Sequence, residues 1–399
     1  MKNRRSFLKT SSLAGAGMLL SMSGKSSRAY AAPAAPLDPV ILPKFVDPVP
    51  VPKKLRGLYH EIAITEFYQK LHSKLPPTLL WGYNGSYPGP TIEATQFLPT
   101  QVKWVNKLVN PALLSRIPID QTLHWANPLN QTFTHQMTAP PYTGPVPTVV
   151  HLHGGQSASD SDGHPDAWFT ADYKIKGKAW SQTAYRYHNF QPPATLWYHD
   201  HVLGMTRLNV YAGMAGFYLL RNPFELFLNL PKGDYERELV IQDRLFDVAG
   251  QLIYPTAPSG SEPPYWIPEF MGDTILVNGK VWPYMNVEPR KYRFRILNGS
   301  NSRFYRMKLS NGLPLVQIGT DGGYLEKPVT LNSLTLAPGE RADVIVDFKG
   351  CGVGTRFILT NDAPGPFPNG DPADPDTVGQ IMQFRIVPLT GYDTSQIPK

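Results

Sequence analysis

Forty-one prolines and thirty-three glycines punctuate this chain of 399 residues, and the apolar runs left between them are short. Short apolar runs bounded by turn residues are how an all-β sandwich or barrel reads, because each strand must end at a turn before the next begins. Apolar residues make up 42% and charged ones 17%, the balance of a folded globular chain rather than a disordered one. The length exceeds what one hydrophobic core comfortably serves, so two domains are expected.

The first 31 residues stand apart. Arg4-Arg5-Ser6-Phe7-Leu8-Lys9 has the twin-arginine export pattern, a modest apolar stretch runs from Leu13 to Met22, and Ala29-Tyr30-Ala31 offers a small-x-small cleavage site. The apolar stretch is too short and too rich in Gly and Ser to span a bilayer, so a removed signal peptide is expected, with no membrane span. Export by this route places the protein in the periplasm, in the cell envelope or outside the cell. Six basic residues (Lys2, Arg4, Arg5, Lys9, Lys25, Arg28) and no acids lie in this segment, so the formal +7 falls to about +1 after cleavage. The basic pI therefore points neither to nucleic acid nor to a membrane surface. A single cysteine, Cys351, excludes an internal disulfide despite the exported destination.

Along the remainder, residues 32–52 read as a Pro- and Ala-rich extended arm laid over the surface. A Greek-key sandwich is expected within residues 32–222, with strands at Leu58 to Phe67, Gln101 to Asn106, Thr148 to His153, Thr195 to His199 and Gly216 to Leu220. One short helix is expected between Gly204 and Gly213. Asn222-Pro223 and Pro231-Lys232-Gly233-Asp234 mark a linker over 223–235. A second sandwich follows over 236–388, with strands near Leu239, Thr274, Tyr292, Phe304, Asp343, Phe357 and Ile381, and a tail over 389–399.

Chemistry concentrates in two segments, Val150-His151-Leu152-His153-Gly154-Gly155 and Trp197-Tyr198-His199-Asp200-His201. Alternate side chains of a strand share a face, so each His-x-His pair projects both imidazoles the same way, about 6–7 Å apart. Two such pairs on neighbouring strands bring four nitrogen donors around one cavity. Imidazole suits copper, zinc, iron and nickel, so the spacing indicates a metal without choosing the element. Asp200, between two of these histidines, is expected on the opposite face with a structural role. No histidine follows His201, so any metal site belongs to the first half or is completed from elsewhere. His124, His135, His164 and His188 lack x-spaced partners and read as surface or packing residues.

These segments resemble the first cupredoxin domain of multicopper oxidases, together with Ser161-Asp162-Gly163 and Thr206-Arg207-Leu208-Asn209-Val210-Tyr211-Ala212-Gly213. The likeness is to the bacterial spore-coat laccase and bilirubin oxidase branch, and Leu80-Trp81-Gly82-Tyr83-Asn84-Gly85 supports it. Ile275 to Tyr284 and Glu288 to Arg295 are similar to the middle domain of that family. The resemblance implies tandem cupredoxin-like Greek-key sandwiches and copper as cofactor. It also implies one-electron oxidation of phenolic or tetrapyrrole donors coupled to reduction of oxygen to water. By the same resemblance His151 falls on a type 2 copper ligand, and His153, His199 and His201 fall on ligands of the type 3 pair. Asp162 falls on the acidic residue that assists proton delivery. The small-molecule electron donor and oxygen are then the partners.

The resemblance also implies eight ligand histidines and a His-Cys-His segment for the blue type 1 copper, with the remaining four histidines and that cysteine on a third cupredoxin domain. Cys351 has no histidine neighbour and these 399 residues contain no such segment. The chain by itself is therefore expected to show little oxidase activity. The alternatives are a truncated copper-binding fragment, one complemented by a separate chain carrying the third domain, or a structural cupredoxin-fold protein of the cell envelope.

Overall fold

A computed structural model describes residues 35–131, 141–254 and 267–398. The export segment over 1–31 and His135 lie outside these residues. The first half carries β1 (Lys54–Arg56), β2 (Tyr59–Gln69), β3 (Thr78–Tyr83), β4 (Gly89–Thr95) and β5 (Thr100–Asn106). After a long turn-rich stretch come β6 (Val150–His153), β7 (Ala184–Tyr187), β8 (Thr195–Asp200), the helix α1 (Thr206–Ala212) and β9 (Ala215–Arg221). The second half carries β10 (Glu236–Arg244), β11 (Thr274–Val277), β12 (Lys280–Val281), β13 (Tyr284–Val287), β14 (Lys291–Asn298) and β15 (Tyr305–Leu309). It continues with β16 (Leu315–Thr320), β17 (Gly323–Leu331), β18 (Leu334–Leu336), β19 (Arg341–Asp347), β20 (Arg356–Asn361) and β21 (Gln380–Ile386).

Among the described residues these strands form four sheets, and none mixes strands of the two halves. The first half stacks a sheet of order β1-β4-β9-β8-β6 on one of order β3-β2-β5-β7. The second stacks β12-β11-β10-β14-β19-β16-β17 on β13-β21-β20-β15-β18. These are the two sandwiches expected from the strand pattern, in the tandem cupredoxin-like architecture that the resemblance implies. Non-consecutive neighbours such as β4 and β9, paired in parallel, give the Greek-key crossovers.

Alternation explains the inner faces. On β8, Tyr198 points into the first sandwich, where its ring packs 4.9 Å from Tyr83 of β3 and 5.2 Å from Trp104 of β5. Its hydroxyl donates to the Pro90 carbonyl at 2.6 Å, so the polar end of a fully buried tyrosine is satisfied. Trp197, one residue earlier, points the other way and packs with Ala215 and Phe217 of β9 and with Val240 and Leu297 of the second half. The sheet bearing the histidine segments is thus covered on both faces, which is why all six residues of β8 are buried.

The two halves are joined by a lattice of buried charges. Arg293 Nε and Nη2 donate to Asp343 at 2.9 and 2.6 Å, and Arg295 Nε donates to Glu236 at 2.9 Å. Arg221 of β9 reaches Glu236 at 2.7 Å and Glu93 of β4 at 2.9 Å, and Glu225 bonds Arg293 at 3.1 Å. Burial alone would raise the Glu93 carboxyl, yet Arg221 and Lys54 hold it down at about 2. Glu236, also desolvated, is held well below the usual carboxylate range by Arg295, Arg221 and Arg293.

The arm is less superficial than its composition suggested. Leu37 N donates to the Phe246 carbonyl, Phe45 N to that of Trp282 and Val49 N to that of Tyr284, and Leu37 and Leu42 are buried. Buried His72 clamps it, with Nε2 on the Pro43 carbonyl at 2.9 Å and Nδ1 accepting from Lys74 N at 3.1 Å. The arm therefore crosses the second half before β1 enters the first. The linker folds into two 3-10 turns, Pro223–Leu228 and Gly233–Tyr235.

Removing one member of a buried charge lattice leaves its partners desolvated and unpaired, which costs about 3–5 kcal/mol. Asp343→Ala should therefore lower unfolding stability by about that amount, measured by urea denaturation. A loss below about 1 kcal/mol would show that Arg293 and Arg295 find other acceptors.

Candidate metal centre

β6 and β8 pair antiparallel with His151 opposite His199 and His153 opposite Trp197. Val150 and Leu152 of β6 are buried in the sandwich while His151 and His153 stand half-buried on the other face. His199 follows the same alternation on β8, and His201 continues just past its end. Cross-strand neighbours on one face lie within reach of each other's side chains, and the rings gather accordingly. His151 and His201 stack with centroids 4.7 Å apart. The pairs His151–His199, His153–His199 and His199–His201 stand at 5.6, 5.5 and 5.8 Å. All four histidines singled out in the sequence are thus brought together.

Three of the rings are oriented by main-chain carbonyls. His151 Nδ1 donates to the Asp162 carbonyl at 2.6 Å, His199 Nδ1 to that of Asp200 at 2.8 Å and His201 Nδ1 to that of Gly163 at 3.0 Å. A proton held on Nδ1 leaves Nε2 with its lone pair, which is how metal-binding imidazoles are set in tautomer and plane. The fourth ring differs: His153 Nδ1 meets His199 Nε2 at 3.3 Å. Two nitrogens each about 2.0 Å from one ion at a near-tetrahedral angle lie about 3.3 Å apart, so this pair fits a shared ion. Among the described residues no group of three or more His, Cys, Asp or Glu side chains is arranged so as to hold a metal ion by itself. The four imidazoles form an open array of donors, to which further ligands can be added.

The electrostatics favour the ligand form. Burial, then the positive charge of Arg341, then the neighbouring imidazoles bring His153 down to about 4. Burial also lowers His199 strongly, against its bond to the Asp200 carbonyl, and lowers His201. At neutral pH these rings are uncharged. Asp162 is partly exposed, and its carboxylate oxygen lies 3.5 Å from His151 Nδ1 while its carbonyl takes that proton.

Asp200 takes the opposite face, as its position between two histidines requires. It accepts from Val149 N at 3.2 Å, Val202 N at 3.1 Å and Asn209 Nδ2 at 2.8 Å, tying β6, the turn after β8 and α1 together. Burial pushes its carboxyl up to about 7 against those three donors. His164 accepts from Asp166 N at 3.1 Å and His188 stacks on Phe190, so neither joins the array. Met205 and Met214 are buried in the core. Sequence reasoning missed the role of Trp197, whose indole lies 4.1 Å from the His199 ring and 5.1 Å from that of His153. Its place at i−2 from His199 was the available signal.

Residues 143–224 and 246–377 each match a family model described as multicopper oxidase. The chain is 45% identical to a laccase of Bacillus subtilis (strain 168) over 90% of its own length and 68% of that protein's. It is 47% identical to a laccase of Bacillus stratosphericus, covering 88% of this chain and 67% of that one. It is 42% identical to the multicopper oxidase LPR1 of Arabidopsis thaliana, spanning 62% of that protein. Among solved structures, the McoA multicopper oxidase of the hyperthermophile Aquifex aeolicus superposes with a TM-score of 0.65 at 27% identity, covering 88% of this chain and 67% of that one. Two sandwiches, four converging imidazoles and this extent of identity place the chain in the multicopper oxidase family, as a copper-dependent oxidoreductase of the bacterial laccase type.

Proposed function

We propose that His151, His153, His199 and His201 are this chain's contribution to an oxygen-reducing copper centre, serving laccase-like one-electron oxidation of phenolic or tetrapyrrole donors. The convergence of the His153 and His199 ring nitrogens carries the reading. These four residues would hold copper, which would supply the electron-transfer chemistry to oxygen. The chain's own residues hold and orient the donors: the carbonyls of Asp162, Gly163 and Asp200 fix three tautomers. Trp197 covers the rings of His199 and His153 on one side. Asp162, partly exposed and 3.5 Å from His151, is placed to pass protons from solvent toward the array.

A blue copper site needs two imidazoles and a thiolate. The only thiol in these residues is Cys351, and no histidine follows His201. We infer that electron entry depends on ligands supplied from outside these 399 residues, by a longer form of the chain or by a complementing one. The amino-terminal twin-arginine pattern supports export to the periplasm, envelope or exterior.

Copper per chain, measured by elemental analysis after loading, should fall by at least half in the double variant His153→Ala with His199→Ala. The loaded chain alone should show no blue thiolate-to-copper band and only background oxidation of a phenol. Copper content unaffected by the double variant would end the ligand reading, and phenol turnover well above free copper would end the dependence on outside ligands.

The lowered histidine pKa values set a pH dependence. Folding keeps these rings unprotonated, whereas the unfolded chain binds protons below about 6.5, so the unfolded state gains protons first as pH falls. Their effect on the metal-free chain is thus a stability that is full above about 6.5 and declines toward pH 4. Urea midpoints at pH 7 and pH 4.5 should differ less in His153→Gln than in the native chain. An equal or larger difference in the variant would contradict the sign.

A further inference from the structure

His153 is the one imidazole of the four whose ring nitrogens have no main-chain carbonyl partner among the described residues. Its orientation must come from packing, and much of that packing comes from the second half. The turn before β19 brings Gly339 against it: a Cβ on that glycine would stand 3.3 Å from His153 Cε1 and 3.9 Å from Trp197 Cζ2. Trp197 lies along the ring at 5.1 Å and 32°. Arg341 follows two residues later, with only 2% of its side chain exposed. Its Nε donates to the Thr195 carbonyl at 2.9 Å, Nη1 to that of Gly339 at 2.9 Å and Nη2 to that of Asp321 at 3.2 Å, while Asp321 Oδ1 lies 3.0 Å from Nη1.

Thr195 is the first residue of β8, the strand that presents His199. Its hydroxyl also accepts from Arg295 Nη1 at 3.1 Å, so two arginines of the second half grip the start of a histidine-bearing strand. The same Arg341 guanidinium fills the space beside the turn that follows His153. A Cβ on Gly154 would stand 2.4 Å from Arg341 Nη2, and φ there is +83°. Glycine is needed at Gly154 for the left-handed turn and for the approach of the guanidinium. At Gly339, φ +84° and the nearness of His153 impose the same pair of demands from the other side.

From this reciprocal fit we infer that Arg341 and the Gly339 turn are positioning elements for His153 and β8, so that the second half tunes a metal-binding wall to which it gives no histidine. The inference rests on the reading of the four histidines as copper ligands. Arg341 bonds to main-chain oxygens of Thr195, Gly339 and Asp321, so it fixes backbone relative to backbone. Loss of such outer support costs about 10- to 100-fold in metal affinity.

The test is titration of the metal-free full chain with cupric ion alone, followed by electron paramagnetic resonance, for the native chain, Arg341→Met, Arg341→Lys, Gly339→Ala and His153→Ala. Arg341→Met and Gly339→Ala should each weaken cupric binding at least tenfold and alter the hyperfine pattern. Arg341→Lys, which keeps a donor for the Thr195 carbonyl, should recover part of both. In the metal-free chain, nitrogen resonances of His153 should move in Arg341→Met while those of His151 and His201 stay in place, a selectivity that general destabilisation would not give. If Arg341→Met fails to fold, Gly339→Ala, which keeps the arginine, decides the matter. Binding lost in His153→Ala but native in affinity and spectrum for Arg341→Met and Gly339→Ala would overturn this inference alone. Native binding in His153→Ala would overturn the ligand reading and this inference with it.

Discussion

The antiparallel ladder between β6 and β8 is the constraint on which the rest depends. One backbone alternation sends Leu152, Leu196 and Tyr198 into the sandwich and sends His151, His153, Trp197 and His199 to the opposite face. A slip of one residue would exchange the two sets, burying imidazoles in an apolar core and exposing a tyrosine whose hydroxyl now bonds Pro90. Hydrophobic burial therefore enforces the register that gathers the donors. Asp200 reinforces it from below, because its carboxylate spans Val149 at the threshold of β6 and Val202 beyond β8.

The buried arginines complement this ladder. A sheet whose outer face carries four imidazoles cannot close that face with aliphatic packing alone, and here the Trp197 end of it meets Val240 and Leu297. Farther along, charge takes over: Arg293, Arg295, Arg221 and their carboxylates occupy the seam between the halves. Such pairs contribute little net free energy against well-packed hydrophobes, but they are demanding in geometry. A seam built this way fixes the angle between two sandwiches more sharply than a greasy one, since each guanidinium has to meet its acceptors within hydrogen-bonding distance.

Much of this was legible in the sequence. The His-x-His spacing specified the shared face of each pair, and strands such as Thr274–Val277 and Lys291–Asn298 lie where the apolar runs place them. Other elements carried no such mark. Gly89–Thr95 and Thr78–Tyr83, which hold Gly, Pro or mixed residues, are not among the expected strands, and they form because tertiary pairing with β9 and β2 outweighs local preference. β17 buries Gly323 alone, its other residues being intermediate or exposed, so it lacks the alternation that burial imprints. Arg341 and Gly339 were invisible for a different reason: their meaning lies in contacts with Thr195 and His153, far away in the chain. No local pattern encodes a contact of that range.

The arm that precedes β1 has an implication for how the molecule is made. Its backbone donors are taken up by carbonyls of Phe246, Trp282 and Tyr284, residues synthesised long after it. The segment from Leu37 to Val49 thus cannot find its seat until Tyr284 has left the ribosome, and long-range contacts of this kind form slowly. The arm, made before the strands it rests on, settles late in assembly and acts as a latch over the second half.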